Sequence, residues 1–423
     1  MKPGDLDLFD VDNFSDGFPH DYFAMLRRED PVHWQAPPAN RRQGGPMPID
    51  DGFYAITKHA DVVEISRRPD VFSSELGGTN LHDPAREDLD NLRQIMLNMD
   101  PPKHAKYRRL VARTFTPRAV AGIEPAIRRQ AARIVDEIAQ AGRCEFVTQL
   151  ASELPLILIC EFLGFPQEDR RRVFDWSNRM IGFDDPDFSA GDVEDRRQAS
   201  LELYMYANEI AAVKKARPDQ SLVSKLINGD VEGVALTEHE FNSFVLLLAV
   251  AGNETTRNAT SHGMRLLHEH PEQHEVLRSD LERALPTFIE EILRFSPSVI
   301  HFRRTTTKDT TLRGIQMPRG TKVAMFYSSA NRDDEVFDAP ETFDVMRDPN
   351  PHLAFGIGEH FCLGASLARM QLRCIFREVI SRLPDIRLAE PPKLLRGNFI
   401  DGVKEMHVRY TPATQTRPTA GPA

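Results

Sequence analysis

Cysteine is scarce in this chain. Its four thiols, Cys144, Cys160, Cys362 and Cys374, are scattered over 423 residues with no CxxC spacing. That excludes a disulfide framework and gives no paired-thiol zinc site, and it suits a reducing cytoplasm, where the protein is expected. Long apolar runs are also lacking. The longest, around residues 245–251, falls far short of the ~20 residues a membrane span needs. The opening Met1-Lys2-Pro3-Gly4-Asp5-Leu6-Asp7 has no apolar stretch of the signal-peptide kind, so neither a membrane span nor export is expected. Positive charge is in deficit, with 53 Lys and Arg against 63 Asp and Glu and a net charge of −10. A nucleic-acid partner held by whole-molecule electrostatics is thereby excluded. No repeat or low-complexity linker divides the chain. Residues 1–410 read as one domain, followed by a Pro-, Thr-, Ala- and Gly-rich tail, 411–423, expected to be disordered.

Helical periodicity dominates, so the fold expected is mainly α with a smaller β region. A short helix over 22–30 ends at Pro31, residues 32–34 and 52–57 read as paired strands, and 58–67 is helical. Residues 73–96 are polar and irregular. Asp100 is placed to N-cap the next helix, with Pro101 at its first position. Helices follow over 117–140 and 146–163, then two helical patterns over 174–206 broken at 182–188. Thr237 and Glu240 form a capping box, opening a helix that can run to about His270, about 50 Å at ~1.5 Å per residue.

Three strings depart from ordinary packing. Phe355-Gly356-Ile357-Gly358-Glu359-His360-Phe361-Cys362-Leu363-Gly364 sets one cysteine in a glycine-rich loop that runs into good helix formers. Cys362 thus stands at or just before a helix N-terminus, where backbone N–H groups and the helix dipole favour thiolate. A metal ligand, a nucleophile and an inert core thiol all remain open for it on this ground alone. Ala251-Gly252-Asn253-Glu254-Thr255-Thr256 interrupts the apolar long helix with a glycine costing ~1 kcal/mol and with polar groups that rarely sit in a core. Such a broken local rule marks either function or a bend with the acid turned outward. His104 and Arg108, four apart, share a helix face and form either a clamp for an acid or a solvated basic face.

Taken together the strings resemble the cytochromes P450, whose haem loop follows the pattern Phe-Gly-x-Gly-x-His-x-Cys-x-Gly. The resemblance extends over most of the chain, from about Phe23 to Val408. It implies the single-domain fold of that family, with haem b as cofactor, Cys362 as axial ligand of the iron, and Phe355 and Gly364 in the haem loop. It implies that His104, Arg108, Arg304 and His360 meet the haem propionates. Gly252, beside Ala251, would leave room for dioxygen, and Glu254 and Thr255 would relay protons. Glu291, Arg294 and Arg347 match the family's structural trio. Leu97, Phe183 and Val250, with Val299, Ile300, Phe399 and Ile400, are expected around the substrate. The small β-sheet is expected over residues 311–314 and 322–327, and a final hairpin over 398–403.

The reaction implied inserts one atom of O2 into a C–H bond of an apolar substrate. Electrons would come from NAD(P)H through a separate ferredoxin reductase and ferredoxin, since the chain holds no flavin or iron–sulfur segment. Lys103, Lys106, Arg109 and Arg113, with Arg369, Arg373 and Arg377, are expected to form a basic docking face, and the protein is expected to be a monomer. The 251–263 string and Asn350-Pro351-His352-Leu353 resemble the actinobacterial group that oxidises terminal methyls of branched lipids and sterol side chains. ω-Hydroxylation of such a chain is therefore expected. The alternatives are a secondary-metabolite hydroxylase or a haem gas-binding or carrier protein, and a mere binder would need no relay at Glu254 and Thr255.

Overall fold

The computed structural model describes residues 1–37, 52–83, 86–189, 193–228 and 236–412, so nearly all of the 411–423 tail lies outside the described residues. The chain is built round one helix, Glu238–Glu269. The Thr237 side chain accepts from the Glu240 N–H, and the Glu240 carboxylate accepts from the Thr237 N–H at 2.8 Å, which closes the capping box. Pro271 begins the following helix, Pro271–Ser279, and ends the long one. Phe241, Phe244, Val245 and Leu248 near one end, and Met264, Leu266 and Leu267 near the other, are buried in the main core. Each large apolar side chain so buried contributes roughly 1.5–3 kcal/mol.

Helices Glu153–Leu163, Leu281–Phe295 and Ala365–Arg382 pack against this central helix. Gly263 sets the spacing, because a Cβ there would stand 2.4 Å from the Phe376 ring and 2.6 Å from Ile292. On another side lie Arg170–Ile181 and Val193–Ala216, the helix pair that the family resemblance casts as a lid, and both contact the central helix.

The largest sheet has five strands, in the order Val32–Gln35, Phe53–Ile56, Lys322–Phe326, His301–Thr306, Phe72–Ser73. Only the Phe53–Ile56 and Lys322–Phe326 pair is parallel. Residues near the C-terminus return as strand Val403–Glu405, paired with Lys393–Leu394, and the turn between them is tied back by an Ile400–Val299 bridge.

Two local expectations are corrected. Residues 73–96 are not wholly irregular but contain the helix Arg86–Leu92. Asp100 does not cap the helix after it. That helix, Lys103–Ala112, starts beyond the Pro101-Pro102 pair, and the Asp100 carboxylate instead takes the Ser73 hydroxyl and, at 2.8 Å, the Ser74 N–H. The demand of that loop's unpaired N–H groups outweighs the cap.

The Glu291 trio is assembled and deeply buried. Arg294 donates from Nε and Nη2 to the two Glu291 oxygens at 2.8 and 2.7 Å, Arg347 adds a 3.2 Å contact, and Asn350 adds a 3.0 Å hydrogen bond. Arg294 and Arg347 also donate to the carbonyls of Pro340, Thr342, Asp338 and Ala339, so the charges pin the 338–342 segment to the core.

Candidate active site

Cys362 lies three residues before the helix Ala365–Arg382, as its sequence predicts. Its N–H donates to the Phe355 carbonyl at 2.8 Å, which closes the loop back on itself. Gly358 has φ +75° and a Cβ there would fall 2.4 Å from the Ser66 carbonyl oxygen, so this position accepts only glycine. Gly364 differs, with ordinary angles and no atom within 4 Å of where a Cβ would stand. Neither strain nor protein packing requires a glycine there. Burial pushes the Cys362 thiol up, against the pull of the Gly364 N–H and the charges of Arg108 and Arg369.

Four donor side chains from three distant segments converge near this loop. The His104 and His360 rings lie 4.2 Å apart. Arg108 donates to the Phe361 carbonyl at 2.6 Å. Arg304, buried, donates to the carbonyl of Arg303 at 2.8 Å and faces Tyr327. Burial, then Arg108, brings His104 down to about 4, and burial with Arg304 and His104 holds His360 well below its ordinary value. Among the described residues none of the four forms an ion pair with a carboxylate. A cluster of guanidinium and imidazole donors, His104 and Arg304 buried and Arg108 and His360 half-buried, has the chemistry to take a dianionic group through charge-assisted hydrogen bonds. The alternation of the His301–Thr306 strand separates the two arginines. Arg303 turns the other way and pairs with Asp83 at 2.6 Å, beside Lys322.

The central helix presents its motif differently from expectation. Ala251 is exposed in mid-helix, with Leu247, Val250 and Thr255 half-buried, while Asn253, Glu254, Thr256 and Arg257 are buried. Leu247, Ala251 and Thr255 are four apart and form one accessible stripe. Gly252 is off that stripe. A Cβ on it would meet Ile159 at 3.1 Å, so its small size serves packing against Glu153–Leu163 and not room for dioxygen. The residue that keeps the accessible face low is Ala251. The Thr255 hydroxyl donates back to the Ala251 carbonyl at 3.0 Å, and the Thr255 carbonyl accepts from Ser298 Oγ at 2.8 Å. Glu254 is ion-paired with Arg257, which also donates to Asn178 of the lid at 2.8 Å. One Glu254 oxygen, Oε1, has no partner among the described residues. Burial pushes its carboxyl up, and Arg257 opposes that.

Around this stripe, Val299 is half-buried and bridges Ile400, and Leu97 is half-buried on the short turn Met96–Asn98 against the central helix. Phe183, Phe399 and Ile400 line one cleft. Ile300 is a correction, because it packs into a separate core with Phe23, Phe53 and Phe326. On a strand-like segment its neighbours Val299 and His301 take the other side. Phe355 lies under the Arg369 guanidinium, 4.5 Å from its ring centroid.

The basic face is thinner than expected. Arg369 is held by Glu290 through two 2.7 Å hydrogen bonds, and Arg377 by Glu282. Lys106, Arg109, Arg113 and Arg373 remain exposed. Arg257, Asn178 and the Ser298 contact with Thr255 were not foreseen from the sequence. Arg257 had a visible signal, three residues after Glu254. The other two come from segments whose proximity only folding creates.

A thiol in a glycine loop, a donor cluster for a dianion and a helix with an accessible Ala–Thr stripe fit a haem held through sulfur and carboxylates. The cytochrome P450 family profile matches residues 193–384. The steroid C26-monooxygenase of Rhodococcus jostii is 43% identical over 97% of this chain and 86% of its own. The methyl-branched lipid omega-hydroxylase of Mycobacterium tuberculosis is 40% identical over 97% of this chain and 95% of its own. A Mycobacterium marinum cytochrome P450 solved with pseudoionone superposes with TM-score 0.89 at 38% identity, covering 97% of this chain and 100% of that one. The chain belongs to the cytochrome P450 family. It is accordingly a haem-iron monooxygenase that uses O2 and electrons from redox partners. Among the described residues no helix is long and apolar enough to cross a membrane.

Proposed function

We propose that this protein hydroxylates the terminal methyl of a branched lipid or sterol side chain. The observation that carries the reading is the accessible Ala251–Thr255 stripe in mid-helix, whose Thr255 carbonyl accepts from Ser298, the residue before the apolar Val299–Ile400 bridge. The names of the relatives, a steroid C26-monooxygenase and a methyl-branched lipid omega-hydroxylase, favour the same class.

Cys362 would hold the iron of haem b, with Phe355, Gly364 and Ala251 against the macrocycle. His104, Arg108, Arg304 and His360 would bind its propionates. Once bound, the haem supplies the reduction of O2 and the insertion of one oxygen atom into a C–H bond, and a thiolate ligand favours O–O cleavage. Thr255 then has the role of holding and passing a proton at Oγ1, since a hydroxyl both donates and accepts. Glu254 supplies protons from behind it only when its carboxylate leaves Arg257. Val250, Val299 and the Phe399–Ile400 turn keep water from the apolar chain. Electrons would reach the protein from NAD(P)H through a reductase and a ferredoxin docking near Lys106, Arg113 and Arg373, and the working unit would be a cytoplasmic monomer.

The test is spectroscopic first. Cys362→Ala abolishes the thiolate signature of the reduced carbon-monoxide complex, whereas Cys374→Ala, in the core, retains it. A panel of branched lipids and sterols is then titrated against the Soret band. Binding confined to polar macrolides would overturn the substrate class.

A further inference from the structure

Between the lid and the last turn lies a cleft of ≈ 60 Å³ whose polar side chains the roles above leave unused. Its apolar walls include Met180, Ile181, Phe399 and Ile400, and His82, Asp184, Arg196 and His301 interrupt them. His301 is 1% exposed, and its Nδ1 lies 3.0 Å from the Asn398 carbonyl oxygen. A carbonyl only accepts, so Nδ1 carries the hydrogen. Burial brings the ring's pKa down to about 3, which leaves it neutral with a lone pair at Nε2. That atom has no partner among the described residues, and neither has His82 Nδ1. A buried acceptor without a donor is unusual and costly. Arg196 stands over the Phe183 ring, 5.3 Å from its centroid, with Asp184 as a nearby countercharge.

We propose that this cleft is a head-group subsite for the hydroxyl end of an amphipathic substrate, which donates to His301 Nε2 and accepts from Arg196. The proposal rests on the terminal-hydroxylation reading above and deepens it. A ketone or carboxylate offers His301 no hydrogen, and with Asp184 beside it Arg196 does not need an anion. A hydroxyl satisfies both partners at once. The cleft is also tied to the oxidising end. Its wall residue Ile400 pairs with Val299, Asp401 N–H donates to the Ser298 carbonyl at 3.0 Å, and Ser298 Oγ donates to the Thr255 carbonyl at 2.8 Å. A substrate anchored by its hydroxyl under the lid lays its hydrocarbon along Val299 and Ile400 and presents its far end to Thr255. Oxidation at the terminus opposite the hydroxyl follows from the anchoring.

The experiment titrates the holoenzyme with three sterols that share one branched side chain and differ only at C3, as alcohol, ketone and methyl ether. Dissociation constants are read from the Soret shift. The alcohol is expected to bind about tenfold more tightly than the ketone, the factor one added hydrogen bond supplies, and the ether more weakly still. Arg196→Gln and His301→Phe should each cut that preference to about twofold or less and move oxidation away from the terminal methyl, with the carbon-monoxide spectrum intact. Arg196 lies on the lid, outside the core, so its variant decides the matter if His301→Phe does not fold. Equal affinities for the three sterols, or a preference surviving the substitutions, overturn the subsite. If terminal oxidation persists in that case, the parent reading stands. No Soret shift with any branched sterol or lipid overturns both.

Discussion

Arg257 stands one turn after Glu254 in the central helix and closes an ion pair on its carboxylate, each side chain 2% exposed. Through Nη1 the same guanidinium reaches Asn178 on the lid helix Arg170–Ile181. The acid named in the motif is therefore held away from the accessible stripe by a cation that also touches the lid. Arg257→Leu leaves a buried acid unpaired and is expected to lower unfolding free energy by ~3–5 kcal/mol, measured by urea denaturation of the holoprotein. Adding Glu254→Gln should restore most of it. A single variant as stable as wild type would remove the pair from the account.

The two neighbouring arginines on the His301–Thr306 strand should separate cleanly. Arg304→Gln removes one of the four clustered donors and is expected to lower haem retained per chain after gel filtration. Arg303→Gln breaks the contact with Asp83 instead, so stability falls while haem content holds. Equal haem loss in both variants would refute the assignment by strand face.

Gly252 and Ala251 make the opposite pair from the one their sequence order implies. In Gly252→Ala the new Cβ meets only the flexible end of Ile159 at 3.1 Å, and the helix gains ~1 kcal/mol of propensity. Stability should change by less than about 1 kcal/mol and carbon-monoxide binding should persist. Ala251→Leu fills the accessible stripe and should weaken binding of both carbon monoxide and substrate at least about tenfold, a loss of ~1.4 kcal/mol or more.

Acid sensitivity should be visible at Glu290. Burial raises its carboxyl, but hydrogen bonds from His352 and Arg369 and their charges outweigh that and hold it at about 2. The folded value lies below the unfolded one of ~4.3. Its contribution is therefore full above pH ~4.3 and is lost as pH falls toward 2. With the side chain 28% exposed, solvent screening leaves an effect on the order of 1 kcal/mol. Urea midpoints of wild type and Glu290→Gln should converge as pH drops from 5 to about 3. A gap that stays constant over that range would sink the assignment.

Elements whose cause is local were legible from the chain. The Thr237–Glu240 box, the stop at Pro271 and the position of Cys362 before its helix depend on residues within a few positions of one another. Their backbone hydrogen bonds leave little choice. The family resemblance likewise brought His104, Arg108, Arg304 and His360 to one place, and the structure puts them there. Asp100 misled because a local cap competed with a loop 26 residues away that needed its carboxylate more.

Sequence by itself determined which residue types are available, where the central helix begins and ends, and that one glycine-set cysteine and one interrupted helix break the ordinary packing rules. Only the tertiary structure decided the direction in which each of those residues faces. Gly252 looks at Ile159, Ile300 at a second core, Arg257 at Asn178, and Arg369 at Glu290. The physical reason is that a side chain's direction and charge partner are set by what packs across from it. Those neighbours come from segments tens or hundreds of positions away, which no local pattern encodes.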